Sequence, residues 1–166
     1  MSAASGAVLS EREGQYLMQA IAWSHTARNR GNRPFGAVII ASDGRLVAEA
    51  YCNTSETGDC TGHAETNAVR LATPATRREV LATSTLYSSG EPCVMCAGAI
   101  FWSGIRRVVF GIDAVSLRVF RGEVAEQRDA ELSCRDVFAA SPHAIQCIDP
   151  VLWAEASEPH VGFWKT

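Results

Sequence analysis

The chain has 166 residues, enough for one domain with a full hydrophobic core and too few for two of comfortable size. With 47% hydrophobic and 20% charged residues it has the composition of a globular protein, and no apolar run reaches the length of a membrane span. The net charge of −3 and the scatter of the arginines in ones and twos argue against a polyphosphate-binding surface, so a nucleic-acid partner is not expected.

Apolar residues at helical spacing (Tyr16, Leu17, Ala20, Ile21) predict a first helix between Ser10, a capping residue, and Gly31, a stop. "PFGAVIIASDGRLVAEAY" reads as two strands joined at Ser42-Asp43-Gly44-Arg45, because Asp-Gly is a strong hairpin signal. The turn-rich "CNTSETGDCTG" is read as a loop, and "HAETNAVRLATP" as a helix stopped near Pro74. "STLYSS" predicts a short strand, "CVMCAGAIFWSG" a helix ending at Gly104, and "RRVVFGI" a buried strand. From Asp113 to Ala140 the pattern weakens, with at least one short helix around "SCRDVF". "HAIQCID" follows as a last strand, and "PVLWAEASEP" as a helix begun by proline in its first turn. This order predicts an α/β fold with one sheet covered on both faces, and the helical crossovers after the third and fourth strands favour parallel pairing there.

The N-terminal residues lack the basic start and long apolar stretch of a secretory signal, which makes the cytoplasm the expected address. In that setting six cysteines do not suggest a disulfide framework. Cys52, Cys60, Cys134 and Cys147 are read as buried thiols. Cys93 and Cys96 stand apart by their spacing. Three apart on one helix face, after Pro92, both sulfurs reach one ion, and the helix N-terminus biases them toward the thiolate. His63 stands at a second predicted helix start. Three mixed nitrogen and sulfur donors leave one tetrahedral position open, the mark of a catalytic zinc; Cys60 is the one credible fourth ligand for a structural site. Glu65, two residues after His63, has two readings: a first-turn acid complementing the helix dipole, or a general acid/base beside the metal. In mid-helix that spacing sends two side chains to nearly opposite sides, so they share a site only if the metal lies beyond the helix end.

The combination "HAE" with "PCVMC" is the H-x-E…P-C-x-x-C pattern of zinc deaminases. Over Tyr16 to Ile112 the chain resembles the cytidine-deaminase-like superfamily, and "EPCVMCAGAIFWSGIRRVVFG" looks nearest to bacterial guanine deaminases, then to tRNA adenosine deaminases. The resemblance implies a three-layer α/β/α fold with a central mixed sheet of about five strands, in a single deaminase domain over residues 1–166. Within it the motif-bearing core covers about 10–112 and a C-terminal strand, helix and aromatic tail about 143–166. A homodimer is also implied. Position by position, His63, Cys93 and Cys96 match zinc ligands, Glu65 the proton shuttle, Asn53 a substrate-binding asparagine, and Ala64 a backbone N–H donor to substrate. The activity implied is hydrolytic deamination of a guanine-like or cytosine-like base or nucleoside, with release of ammonia. The alternatives are a tRNA-specific adenosine deaminase and, in another class, a catalytically silent zinc-stabilised binding module.

Phe101 and Trp102 stand where the tRNA enzymes tend to have His-Ser, and they resemble the aromatic pair of guanine deaminases. Trp102 is therefore a candidate substrate contact. Phe163 and Trp164 resemble the aromatic tail that closes the pocket in that group, from its own subunit or the partner's. One departure remains. The acid that reads the guanine edge has four candidates here, Asp113, Glu123, Glu126 and Asp129, and none is singled out.

Overall fold

The computed structural model describes residues 8–122, 132–148 and 150–164. Helix α1 (Glu11–Asn29) opens with a capping box, in which the Ser10 hydroxyl accepts from the Glu13 amide while the Glu13 carboxylate reaches back to Ser10 N. Strands β1 (Gly36–Ile40) and β2 (Leu46–Tyr51) form the expected hairpin. Gly44 supplies φ +88 at its turn, and the Asp43 carboxylate accepts from Arg45 N. The segment read as a loop holds a one-turn helix, α2 (Thr54–Thr57). Helix α3 (Ala64–Ala75) runs one residue past Pro74, and a short α4 (Arg78–Ala82), absent from the sequence pattern, leads into β3 (Thr85–Gly90). Helix α5 (Val94–Ser103) ends at Gly104, as expected, and β4 (Arg107–Ile112) follows.

After β4 the structure adds one helix to the expected pattern and corrects the start of another. A further helix, α6 (Ala114–Arg121), starts at once because the Asp113 carboxylate caps it by accepting from Ser116 N at 2.8 Å. After α7 (Cys134–Ala139) and β5 (Gln146–Ile148), Pro150 does not open the last helix. Leu152 takes a left-handed conformation (φ 55), so α8 spans only Trp153–Ser157 before a 3₁₀ turn at Glu158–His160.

The strands order as β2-β1-β3-β4-β5. β1 pairs antiparallel with β2 and β3, while β3–β4 and β4–β5 are parallel, as the helical crossovers require. Alternation along β1 and β4 feeds two cores. Ala37, Ile39, Val108 and Phe110 pack with α3, α5 and α7; Val38, Ile40 and Val109 pack with Leu17 and Ile21 of α1, Leu117 of α6 and Ala156 of α8. The expected mixed five-stranded sheet between helical layers is the one observed. α1 lies so close to β1 that a Cβ on Gly36 would meet the backbone of Ala20 and Ser24. Among the described residues, no helix is long and apolar enough to cross a membrane.

Candidate active site

Because β1 runs antiparallel to β3, the start of β1 lies beside the end of β3, and Gly36 N donates to Ser89 Oγ across the join. The parallel strands deliver their carboxyl ends to the same edge, which is where open α/β sheets place ligands. A small pocket opens there, lined by Arg33, Phe35, Cys52, His63, Glu65, Glu91, Cys93 and Arg121. Its free volume is about 20 Å³, room for about one water.

Two helices aim their N-termini at this edge. His63 is the residue before α3 and Cys93 the residue before α5; both have extended backbones, ψ 153 and ψ 171. His63 thus stands off the helix, which removes the geometric conflict with Glu65: one side chain comes from the cap and the other from the first turn. Gly62 and Asn53 hold this approach, with Asn53 N donating to Gly62 O at 2.9 Å.

The donor atoms of His63, Cys93 and Cys96 all lie within 4.8 Å of one another, and Cys93 Sγ is 3.4 Å from His63 Nδ1. Tetrahedral zinc with bonds of about 2.0–2.3 Å wants donors about 3.5–3.8 Å apart, so the three residues fit that ion. Thr66 Oγ1 lies 3.3 Å from Cys96 Sγ and supports the buried sulfur. Cys60 is exposed and stands outside the group, contrary to its reading as a buried thiol.

The charges agree with this. The hydrogen bond from Cys96, with help from the His63 ring, holds the Cys93 thiol down at about 4 despite its burial. The same bond to Cys93, burial and the Glu65 carboxyl push Cys96 up, so without a cation the pair carries a single negative charge. His63 is raised by its hydrogen bond with Cys93. Glu65 is 4% exposed, and burial, then the Cys93 charge, raises its carboxyl above the usual range. Ser88 Oγ donates to Glu65 Oε1 at 2.9 Å and fixes its orientation.

The other expected residues fall less uniformly. Ala64 is fully buried and heads α3, where its N–H has no intrahelical acceptor. Asn53 stands beside Gly62 and lines a neighbouring groove. Its Oδ1 accepts from Asn67 Nδ2 at 2.9 Å, leaving its own amide N–H groups to donate. Trp102 is not brought to the pocket. It is 76% exposed, because six residues along α5 from Cys96 turn the side chain to another face, where it lines a groove with Arg78 and Ser141. Phe163 packs edge-on against Trp164. Trp164 is buried behind the wall of this chain's own pocket, with its Nε1 donating to His160 Nδ1 and Arg121 and Arg33 at 4.7 and 5.9 Å from its ring. Asp113 is committed to capping α6; Glu123, Glu126 and Asp129 lie outside the described residues.

Sequence reasoning missed Arg33, which reads as the end of a solvated basic loop yet is half-buried in the pocket wall. It also missed Arg121, which is 6% exposed. Glu91 went unread too: its carboxylate accepts from Ala114 N, Ser133 Oγ and Cys134 N. The signal for Arg33 was its position against Pro34-Phe35-Gly36, where the chain enters the central sheet.

Comparison with known proteins agrees with this geometry. Residues 10–112 match the cytidine and deoxycytidylate deaminase zinc-binding region. A probable cytosine deaminase of Schizosaccharomyces pombe is 43% identical over 160 residues, covering 96% of this chain and 97% of that protein. The guanine deaminase of Bacillus subtilis is 37% identical over 99 residues, 59% of this chain and 63% of that protein. A structure solved in studies of A-to-I editing by tRNA:A34 deaminases superposes with a TM-score of 0.70 at 29% identity, covering 88% of this chain and 99% of that one. The chain belongs to the cytidine and deoxycytidylate deaminase zinc-binding family and is a hydrolytic deaminase.

Proposed function

We propose that the protein deaminates a small aminated base or nucleoside, cytosine-type before guanine-type, at the pocket shared by His63, Cys93, Cys96 and Glu65. The observation that carries this reading is the buried Glu65 carboxylate, oriented by Ser88, in the same pocket as the His63 and Cys93 donors. The order of substrates follows the probable cytosine deaminase, to which the similarity spans nearly the whole chain, whereas that to the guanine deaminase stops at 59% of it.

His63, Cys93 and Cys96 would hold zinc. When bound, the ion lowers the pKa of a coordinated water and supplies the nucleophile near neutral pH. Glu65 takes the proton from the attacking water and delivers it to a ring nitrogen, which makes the neighbouring carbon electrophilic. The water oxygen bonds to that carbon; Glu65 then takes the second proton from this new hydroxyl and hands it to the exocyclic amine, so that the C–N bond breaks, the carbonyl forms and ammonia leaves. A carboxyl that burial holds above the usual carboxylate range is suited to work in both directions. Asn53 presents its amide N–H groups, and Ala64 its backbone N–H, to acceptors on the ring. We take residues 1–166 as one deaminase domain acting as a cytoplasmic homodimer on small molecules. Exposed Leu71 and Trp102 on α3 and α5 support an interface there.

The test is ammonia release from cytosine, cytidine, guanine and guanosine by zinc-loaded protein and by Glu65→Gln. The Gln variant keeps an acceptor for Ser88 and retains zinc, but loses at least about a hundredfold in kcat/KM. Full turnover in a zinc-replete Gln variant would overturn the role of Glu65, and ammonia from none of the four would overturn the substrate class.

A further inference from the structure

Two cysteines that the reaction does not use meet in the core on the side of the sheet away from α1. Cys134, the first residue of α7, and Cys147, the middle residue of β5, place their sulfurs 3.8 Å apart. A disulfide bond is about 2.0 Å long, so the sulfurs need to approach by a further distance of about 2 Å, which side-chain rotation can supply. The two positions are 13 apart in sequence, and a bond between them closes a short loop.

The sulfurs are unequal. Cys134 is fully buried, and its hydrogen bond to Cys147, its burial and the Glu91 carboxylate all keep it as the thiol. Cys147 is half-buried on the strand at the edge of the sheet, so it is the sulfur that a reagent in solution reaches first. A sulfur that accepts its neighbour's S–H is also favoured as the thiolate, the form that attacks disulfides. A reachable sulfur in contact with a buried resolving one is the arrangement of a redox-sensing pair.

We propose that Cys134 and Cys147 are a reversible modification site, which a low-molecular-weight disulfide oxidises to an intramolecular disulfide. The Cys147 thiolate attacks one sulfur of the oxidant, forming a mixed disulfide and expelling one small thiol. Cys134 then gives up its proton and attacks the Cys147 sulfur; the Sγ–Sγ bond forms and the second small thiol leaves. Two electrons and the two cysteine protons pass to the oxidant, and excess small thiol reverses both steps.

The bond joins α7 to β5, a strand of three residues that pairs with β4. Ser133 Oγ and Cys134 N both donate to Glu91 Oε1, at 2.7 and 3.3 Å, so the same turn is already moored to the pocket wall. Oxidation therefore fastens the edge of the sheet to that wall and stabilises the fold without consuming a metal ligand.

The experiment treats the zinc-loaded protein, carrying Cys60→Ser to remove the exposed thiol, with oxidised glutathione. Intact mass and peptide mapping identify the product, and zinc content is followed throughout. The expected product has lost two hydrogens, links Cys134 to Cys147, keeps its zinc, and reverts with reduced glutathione. Its Tm is raised by about 5 °C or more, as closing a short loop gives. Adding Cys134→Ser stops the reaction at glutathione on Cys147, and adding Cys147→Ser leaves Cys134 unmodified. A pair that stays reduced, a pair that holds glutathione on Cys147 without closing, a link that forms only after zinc is lost, or an unchanged Tm overturns the inference. The deaminase reading stands in each case.

Discussion

Replacing His160 with Phe tests how the tail is held behind the pocket. His160 is fully buried, and its Nδ1 accepts from Trp164 Nε1 at 3.1 Å. Its proton therefore sits on Nε2, which has no acceptor among the described residues. Burial, then the charges of Arg121 and Arg28, presses its pKa from 6.5 down to about 3. The unfolded chain takes up a proton as the pH drops below about 6.5, and the folded chain refuses it until about 3. The stability held by the neutral ring is therefore complete above pH 6.5 and drains away as the pH falls. The slope is about 1.4 kcal/mol per pH unit, or about 2 kcal/mol between pH 6.5 and 5. Urea denaturation of zinc-loaded wild type and His160→Phe, from pH 7.5 to 5, measures it. Acid also loosens the metal ligands, but it does so in both proteins, so the difference between the two curves isolates His160. Wild type loses about 2 kcal/mol more than the variant on going to pH 5. Parallel curves would refute the assignment of a neutral, unprotonatable ring at this position.

Two further outcomes follow from the packing and the metal site. Gly36→Ala drives a methyl group into the backbone of α1 at Ala20 and Ser24, so α1 and β1 must separate; a loss of about 1–3 kcal/mol or more is expected, read as a lowered Tm. Removing zinc with a chelator abolishes ammonia release and lowers Tm, and stoichiometric zinc restores both, because the ion ties the starts of α3 and α5 together. Turnover by metal-free protein would contradict the assignment of His63, Cys93 and Cys96.

What the chain made legible was local or tightly spaced. Ser10 with Glu13, Asp43-Gly44 and Gly104 each write a cap or turn within a few residues, and each stands where the spacing placed it. His63, Cys93 and Cys96 were readable because the ligand chemistry restricts both residue type and interval. Features that depend on distant parts of the chain were not. Arg33 looks like surface until β1 is set beside β3, and Trp102 looks like a pocket residue until the turn of α5 is known. α6 is amphipathic but only eight residues long, too short for its apolar repeat to stand out, and its start rests on the Asp113 cap; α8 was shortened by the left-handed Leu152, a conformation that no glycine announces.

The carboxylate of Glu91 pins the first amide of α6 and the opening of α7, two residues ahead of Cys93. One side chain thereby fastens the beginnings of two elements that follow β4 to the loop that carries a metal ligand. A change that loosens Glu91 is therefore felt in three places at once: at the start of α6, at the start of α7 and in the loop that presents Cys93.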